Sequence, residues 1–326
     1  MFGGIVGSGE RKMNFKIGLA LGGGGVRGLA HIGIFKVFEE ANVPIDLIVG
    51  TSMGAVIGGA YALSGRSSSL DLEQKMLGLL KRKEIAKLES LAAESRPEEK
   101  KMLIEGLVAF VKDLLLWNLK GVKRWIANGA EIKALVKESV EDADFSQTKI
   151  PFACVACDLK TGQEVVLNEG RMAEAVMASG SVPAVFPPVQ SGERLLIDGG
   201  ITSEVPVEAA RRLGADFVVA VNVESKIFYN NFRHGMDILF QSDEIRSHEL
   251  VRLKLKLADF VIQPGVGNIS WAAFSKGEEC IREGEKAARA ALAGLKSAIA
   301  KKRRTYILKK LFGIGRRKRY GYQNKD

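Results

Sequence analysis

Residues 50 to 54 read Gly50-Thr51-Ser52-Met53-Gly54, a G-x-S-x-G pentapeptide between an apolar run (Ile45, Leu47, Ile48, Val49) and an uncharged stretch from Ala55 to Leu63. A serine on a sharp strand-to-helix turn needs neighbours without bulky side chains, because flanking β-carbons collide where the backbone doubles back. Gly50 and Gly54 meet that need, so Ser52 is a candidate nucleophile. The pentapeptide alone is a weak pattern, and its setting invites a second reading as a membrane span, since Leu47 to Gly65 carries no charge. Five glycines and three Ser or Thr make that stretch only modestly hydrophobic. A strand buried on both faces followed by a buried helix accounts for the missing charge instead.

A nucleophile also needs something to hold the negative charge that its attack creates. Upstream, Lys16 to Leu21 reads as a short strand running into Gly22-Gly23-Gly24-Gly25-Val26-Arg27-Gly28, and a helix follows from about Leu29 to Glu40. Its apolar residues Ile32, Phe35, Val37 and Phe38 predict a buried face. Strand, glycine loop and helix together converge backbone N–H groups on an anion. Gly23, Gly25 and Gly28 also satisfy G-x-G-x-x-G, the dinucleotide fingerprint. A dinucleotide site wants an acid at the C-terminal end of the next strand, whereas Asp46 sits at that strand's start and its end is Gly50-Thr51-Ser52. The glycine loop and Ser52 therefore share one sheet edge, as an oxyanion hole facing a nucleophile requires.

The base is less obvious. The three histidines are His31, one turn into the first helix, and His234 and His248, in a charged helical segment from Asn231 to Leu257. None stands on a turn that presents it toward Ser52. Asp198 is the stronger candidate, because the apolar strand Arg194 to Ile197 delivers it into Gly199 and Gly200. The plain alternative is an acidic turn residue, since Asp-Gly is an ordinary turn dipeptide.

Four motifs in order resemble the patatin-like phospholipases, lipid acyl hydrolases with a Ser-Asp dyad. Gly23 to Gly28 resembles the family's oxyanion-hole loop, and Gly50 to Gly54 its nucleophile elbow. Ala178-Ser179-Gly180-Ser181-Val182-Pro183-Ala184-Val185-Phe186-Pro187-Pro188 resembles its proline-containing segment, and Asp198-Gly199-Gly200 its aspartate motif. The likeness runs from about Phe15 to Val223, and is nearest to the bacterial single-domain members. It implies a three-layer α/β/α sandwich around a central, mainly parallel sheet. It also implies Ser52 as nucleophile, Asp198 as proton acceptor, and an oxyanion hole of Gly23, Gly24 and Gly25 supported by Arg27. The implied substrate is a phospholipid or lysophospholipid, with no metal and no cofactor. Two other readings stay open: a nonlipid esterase or thioesterase with the same dyad, and a membrane-associated regulatory protein with a vestigial site.

Composition suits one α/β domain of residues 14–300 with a helical insertion at about 66–128, after a leader at 1–13 without signal-peptide character. A cytoplasmic protein, peripheral on the membrane, is expected, with no transmembrane helix. Three cysteines give no even disulfide framework, and Cys154 and Cys157, three apart on a predicted strand, point to opposite faces. Met102 to Ile126 is rich in apolar residues but interrupted by charge, and reads either as a lid over an acyl pocket or as a packed helix hairpin. The formal net charge of +10 is concentrated at 301–326, which hold eleven Lys or Arg and one Asp. Ile307, Leu308, Leu311 and Phe312 form a short apolar face between basic clusters in Lys301 to Arg319. That pattern suits an anionic membrane surface. Nonspecific nucleic-acid attachment and a solubilising tail are the rivals, and no specific nucleic-acid site is expected.

Overall fold

The computed structural model describes residues 15–94, 129–227 and 235–312. In chain order come β1 (Ile17–Leu21), a 3-10 turn (Gly25–Leu29), α1 (Ala30–Glu40), β2 (Leu47–Thr51), α2 (Met53–Ser64), α3 (Ser69–Leu80), α4 (Lys83–Glu94) and α5 (Gly129–Ser139). Then follow β3 (Phe152–Asp158), β4 (Glu164–Leu167), α6 (Met172–Ser179), β5 (Val189–Ser191), β6 (Arg194–Asp198), α7 (Gly200–Ser203) and α8 (Val207–Arg212). The described part ends with β7 (Phe217–Val221), α9 (Gly235–Leu255), β8 (Phe260–Ile262) and α10 (Gly277–Leu311). The expected leader, the segment Met102 to Ile126, His234 and the chain after Phe312 lie outside the described residues.

The strands form one sheet whose hydrogen-bonded neighbours run β5-β6-β3-β2-β1-β7-β8, with β4 on the edge of β3 opposite to the one that β2 and β6 share. The pairs among β3, β2, β1, β7 and β8 are parallel, whereas β4, β5 and β6 pair antiparallel. Alternation along the parallel strands sends side chains to two separate cores. Ile17, Leu19 and Leu21 of β1 and Phe217, Val219 and Val221 of β7 join the larger core with α1, α2 and α3. Ala20, Val218 and Ala220 join the smaller core with Val207, Ala209 and Ala210 of α8 and Val251 of α9. Helices thus cover both faces, and the fold is a three-layer α/β/α sandwich.

The expected one-sided burial of the first helix is exceeded. Every residue of α1 from Ala30 to Phe38 is buried except Lys36, because α10 packs along the side that a surface helix would leave to water. Gly33 and Gly284 permit the closest approach: a β-carbon on Gly33 would lie 2.1 Å from the Ile281 carbonyl oxygen. The described part of the expected insertion is helical, and Leu72, Met76, Leu79 and Leu88 bury themselves in the larger core. The expected boundary at 301 falls inside α10, which runs on to Leu311. Tyr306 holds that extension against Phe15 (ring centroids 5.3 Å apart, edge-on), and Lys302 Nζ donates to Asp259 at 2.9 Å. Cys154 and Cys157 are buried in β3 as free thiols.

Candidate functional site

β3 brings the two candidate residues together. Its edge toward β2 is paired from Ile48↔Phe152 up to Thr51↔Val155, where β2 ends. From the next residue the same edge is taken by β6, arriving from the opposite direction, with Asp198↔Ala156 first and Leu196↔Asp158 last. Two strands therefore meet head to head along one edge of β3. The chain leaves β2 into Ser52 at the point where β6 delivers Asp198. Sequence reasoning placed Asp198 at the end of a strand but did not show that this strand runs antiparallel to its neighbours. A parallel strand could not have met β2 in this way.

Ser52 adopts φ 53° and ψ −121°, a sparsely populated conformation for a residue with a side chain. The elbow is too tight for substituted flanks: a β-carbon on Gly50 would lie 2.3 Å from the Gly54 carbonyl oxygen, and one on Gly54 would lie 2.4 Å from that of Leu21. α2 begins directly after the serine, so its N-terminal dipole end points at the site. Three hydrogen bonds with the proline-containing segment fix the geometry. The Ser52 N–H donates to the Ser179 hydroxyl at 3.0 Å, and the backbone carbonyls of Ser181 and Ser179 accept from Asp198 and Gly199 at 3.0 and 3.3 Å. Ser179 and Ser181, both buried, thereby tie the elbow to the aspartate strand. Sequence reasoning quoted Ser179 only as part of a motif and missed this role.

Asp198 is buried, 6% exposed, and its carboxyl is pushed up to about 7. Burial is the main cause and the nearby Glu204 carboxylate adds to it, while the Gly200 N–H, at 2.7 Å from Oδ1, and the Ser52 hydroxyl pull the value back. A carboxylate placed this way is a stronger base than a free aspartate and still ionises near neutrality. Glu204 was not singled out in the sequence, although it is the only other acid between Ile197 and Val207. Burial raises its pKa and the Arg27 guanidinium opposes that rise.

The glycine loop faces the serine, since a β-carbon on Gly23 would lie 3.2 Å from the Ser52 β-carbon. The expected donors are not equivalent. The Gly23 N–H is committed to the Glu204 carbonyl at 3.1 Å, whereas among the described residues no backbone carbonyl takes the N–H of Gly24 or Gly25. Gly24 and Gly25 have φ of 144° and 59°, and both line the cleft with Ser52. The loop is braced by a segment distant in sequence, because the Val26 N–H donates to the Trp271 carbonyl at 2.8 Å. Arg27 is buried rather than exposed, reaches the Ile269 carbonyl at 3.4 Å, and has its pKa lowered by burial.

His31 is fully buried, and its Nε2 lies 2.8 Å from the Gly22 carbonyl oxygen. Burial depresses it to about 4, so it is a neutral donor bracing the glycine loop. His248 Nε2 stands 3.6 Å from Glu224 Oε1, and the residue is not among those lining the cleft. Neither described histidine faces Ser52 as a base. Asp46 receives the Ile17 N–H at 2.8 Å, which puts it at the opposite end of β1 from the glycine loop.

Ser52 and Asp198 lie in a cleft with a cavity of about 550 Å³, within the usual range for small-molecule sites. Most of its wall is apolar: Leu29, Met53, Val56, Met76, Leu79, Leu88, Leu135, Val136, Met177 and Phe186 come from the 3-10 turn and α2 to α6 or the segment after α6. Asp243, Arg246 and Ser247 of α9 and Glu204, directly after α7, contribute polar side chains, beside the apolar Ile201 and Leu250 of the same two elements. Among the described residues no group of three or more His, Cys, Asp or Glu side chains is arranged to hold a metal ion.

This combination defines an α/β protein in which a serine on a tight strand-to-helix turn lies with a buried carboxylate in an apolar cleft. Residues 19–211, more than half of the chain, match the family model described as Patatin-like phospholipase. The chain belongs to the patatin-like phospholipase family. It is 30% identical over 222 residues to a patatin-like phospholipase domain-containing protein of Caenorhabditis elegans, covering 67% of this chain and 14% of that protein. A lysophospholipase of Mycosarcoma maydis is 27% identical over 216 residues, covering 66% of this chain and 10% of the other. An NTE family protein of Mycobacterium bovis is 31% identical over 208 residues, covering 64% and 49%. The chain thus spans half or less of the length of these relatives.

Proposed function

We propose that this protein is a serine acyl hydrolase that cleaves carboxylic esters of phospholipids or lysophospholipids. The observation that carries the reading is the Ser52 hydroxyl set against a buried Asp198 carboxylate in an apolar cleft. Asp198 accepts the hydroxyl proton as Ser52 Oγ attacks the ester carbonyl. The oxyanion is received by the N–H groups of Gly24 and Gly25, with Gly23 holding the loop through Glu204 and Arg27 packing beneath it. One such donor is worth roughly 3 kcal/mol in the transition state. The proton on Asp198 then goes to the departing alkoxide, leaving the acyl group on Ser52. Asp198 next takes a proton from water, whose oxygen attacks the acyl carbonyl, and gives that proton to Ser52 Oγ as the acyl bond breaks and the fatty acid leaves. Relatives whose names include phospholipase and lysophospholipase support a lipid ester as substrate.

The test is to incubate wild type, Ser52→Ala and Asp198→Asn with mixed phospholipids and lysophospholipids and identify released fatty acids by mass spectrometry. Release by wild type and its loss in both variants is expected, and release by all three equally would refute the dyad.

The same reading includes attachment to an anionic membrane surface through the end of α10 and the basic residues beyond. Leu308, Leu311 and Phe312 are exposed there beside Lys309 and Lys310, while Ile307 is half-buried. Among the described residues no helix is long and apolar enough to cross a membrane. Flotation with anionic liposomes, lost when Leu308 and Leu311 are changed to Ser, supports this attachment. Equal flotation contradicts it.

A further inference from the structure

The geometry points to a head-group subsite on α9, in which the Arg246 guanidinium receives the phosphate of a phosphate-bearing lipid while the acyl chain lies along the opposite, apolar wall. This inference rests on the acyl-hydrolase reading and specifies how its substrate is oriented. The cleft is chemically divided. Its apolar side chains come mainly from α2 to α6, whereas Asp243, Arg246 and Ser247 come from α9 and Glu204 directly follows α7; these two helices pack on each other and add only Ile201 and Leu250 to the apolar lining.

Among the described residues that line the cleft, Arg246 is the only Lys or Arg. Asp198, Glu204 and Asp243 supply the carboxylates of the described lining, so Arg246 is the place in it where a phosphate meets opposite charge. The guanidinium is available at little cost. Its partner is Asp243, three residues earlier on the same helix, and the two side chains are 80% and 57% exposed. Exposed pairs of this kind contribute little, and the planar guanidinium fork matches two phosphate oxygens better than it matches a neighbour on its own helix. A neutral acylglycerol with the same acyl chain offers nothing to this group. α9 lies after residue 211, beyond the part of the chain that matches the family model, so the subsite belongs to the part of this chain that the model does not cover.

The test compares lauroyl lysophosphatidylcholine with 1-lauroylglycerol, each below its critical micelle concentration. Dissociation constants are measured by calorimetry in the Ser52→Ala background, with Arg246 intact, Arg246→Ala or Arg246→Lys, and turnover is measured in the corresponding active chains. The ratio of lysophospholipid to acylglycerol affinity falls about tenfold in Arg246→Ala, the scale of one lost charge-assisted contact, and Arg246→Lys restores part of it. An unchanged ratio, or no binding of either ligand with Arg246 intact, overturns the subsite. If the ratio falls as expected but neither ester is turned over, the subsite stands and the hydrolase reading fails.

Discussion

Replacing Asp198 with Asn should inactivate the protein and, at alkaline pH, stabilise it. Asp198 has its pKa raised from 3.8 to about 7, chiefly by burial and then by Glu204. A group whose folded-state pKa is raised gives stability that is fully present below its unfolded pKa and is lost as pH rises through the folded one. At about 1.36 kcal/mol per pKa unit, ionised Asp198 costs the fold on the order of 4 kcal/mol above neutrality. Asparagine keeps the shape and never ionises, but its hydrogen bonds with the Gly200 N–H and the Ser52 hydroxyl lack charge, which returns ~1 kcal/mol. The variant should therefore exceed wild type by roughly 2 to 4 kcal/mol near pH 8, and the difference should shrink toward zero near pH 4. Glu204 and Glu224 are also raised by burial and titrate in both proteins, so the difference between the two curves largely isolates Asp198. Urea unfolding followed by far-ultraviolet circular dichroism across that pH range is the assay. A difference that does not change with pH, or a variant less stable at alkaline pH, would refute the electrostatic account of Asp198.

Two further outcomes follow from the same geometry. Glu204→Gln removes the neighbouring charge that raises Asp198, so the acidic limb of the kcat/KM profile, expected near pH 7, should move to lower pH; an unmoved limb sinks the coupling. Gly54→Ala forces a β-carbon to within 2.4 Å of the Leu21 carbonyl oxygen, and the resulting shift of the elbow should cost on the order of a hundredfold in turnover per folded molecule. Wild-type turnover in that variant, with its fold verified by circular dichroism, would show that the elbow tolerates the extra methyl.

Much of this arrangement is legible in the sequence because it is local. The glycine flanks of Ser52, the glycine loop after β1 and the acid that ends β6 are each set by a few adjacent residues, and the sheet's alternation writes itself into short apolar runs. What the sequence leaves hidden depends on pairing between distant segments. Only the register of β3 shows that β2 and β6 meet head to head. The bond from the Ser52 N–H to Ser179 spans 127 positions, and the brace from the Trp271 carbonyl to the Val26 N–H joins residues still further apart in sequence. Gly23 illustrates the limit of motif reading. Its position in the loop is as expected, but its N–H is spent on Glu204, which no local pattern reveals.

The covalent intermediate is the most direct test of the central claim. A lipid-like fluorophosphonate should label the wild type once, on the peptide containing Ser52, as read by peptide mass spectrometry. Ser52→Ala should give no adduct, and Asp198→Asn should label far more slowly at alkaline pH, where wild-type Asp198 is ionised. An adduct on another residue, or equal labelling of Ser52→Ala, would contradict the assignment of Ser52 as the nucleophile.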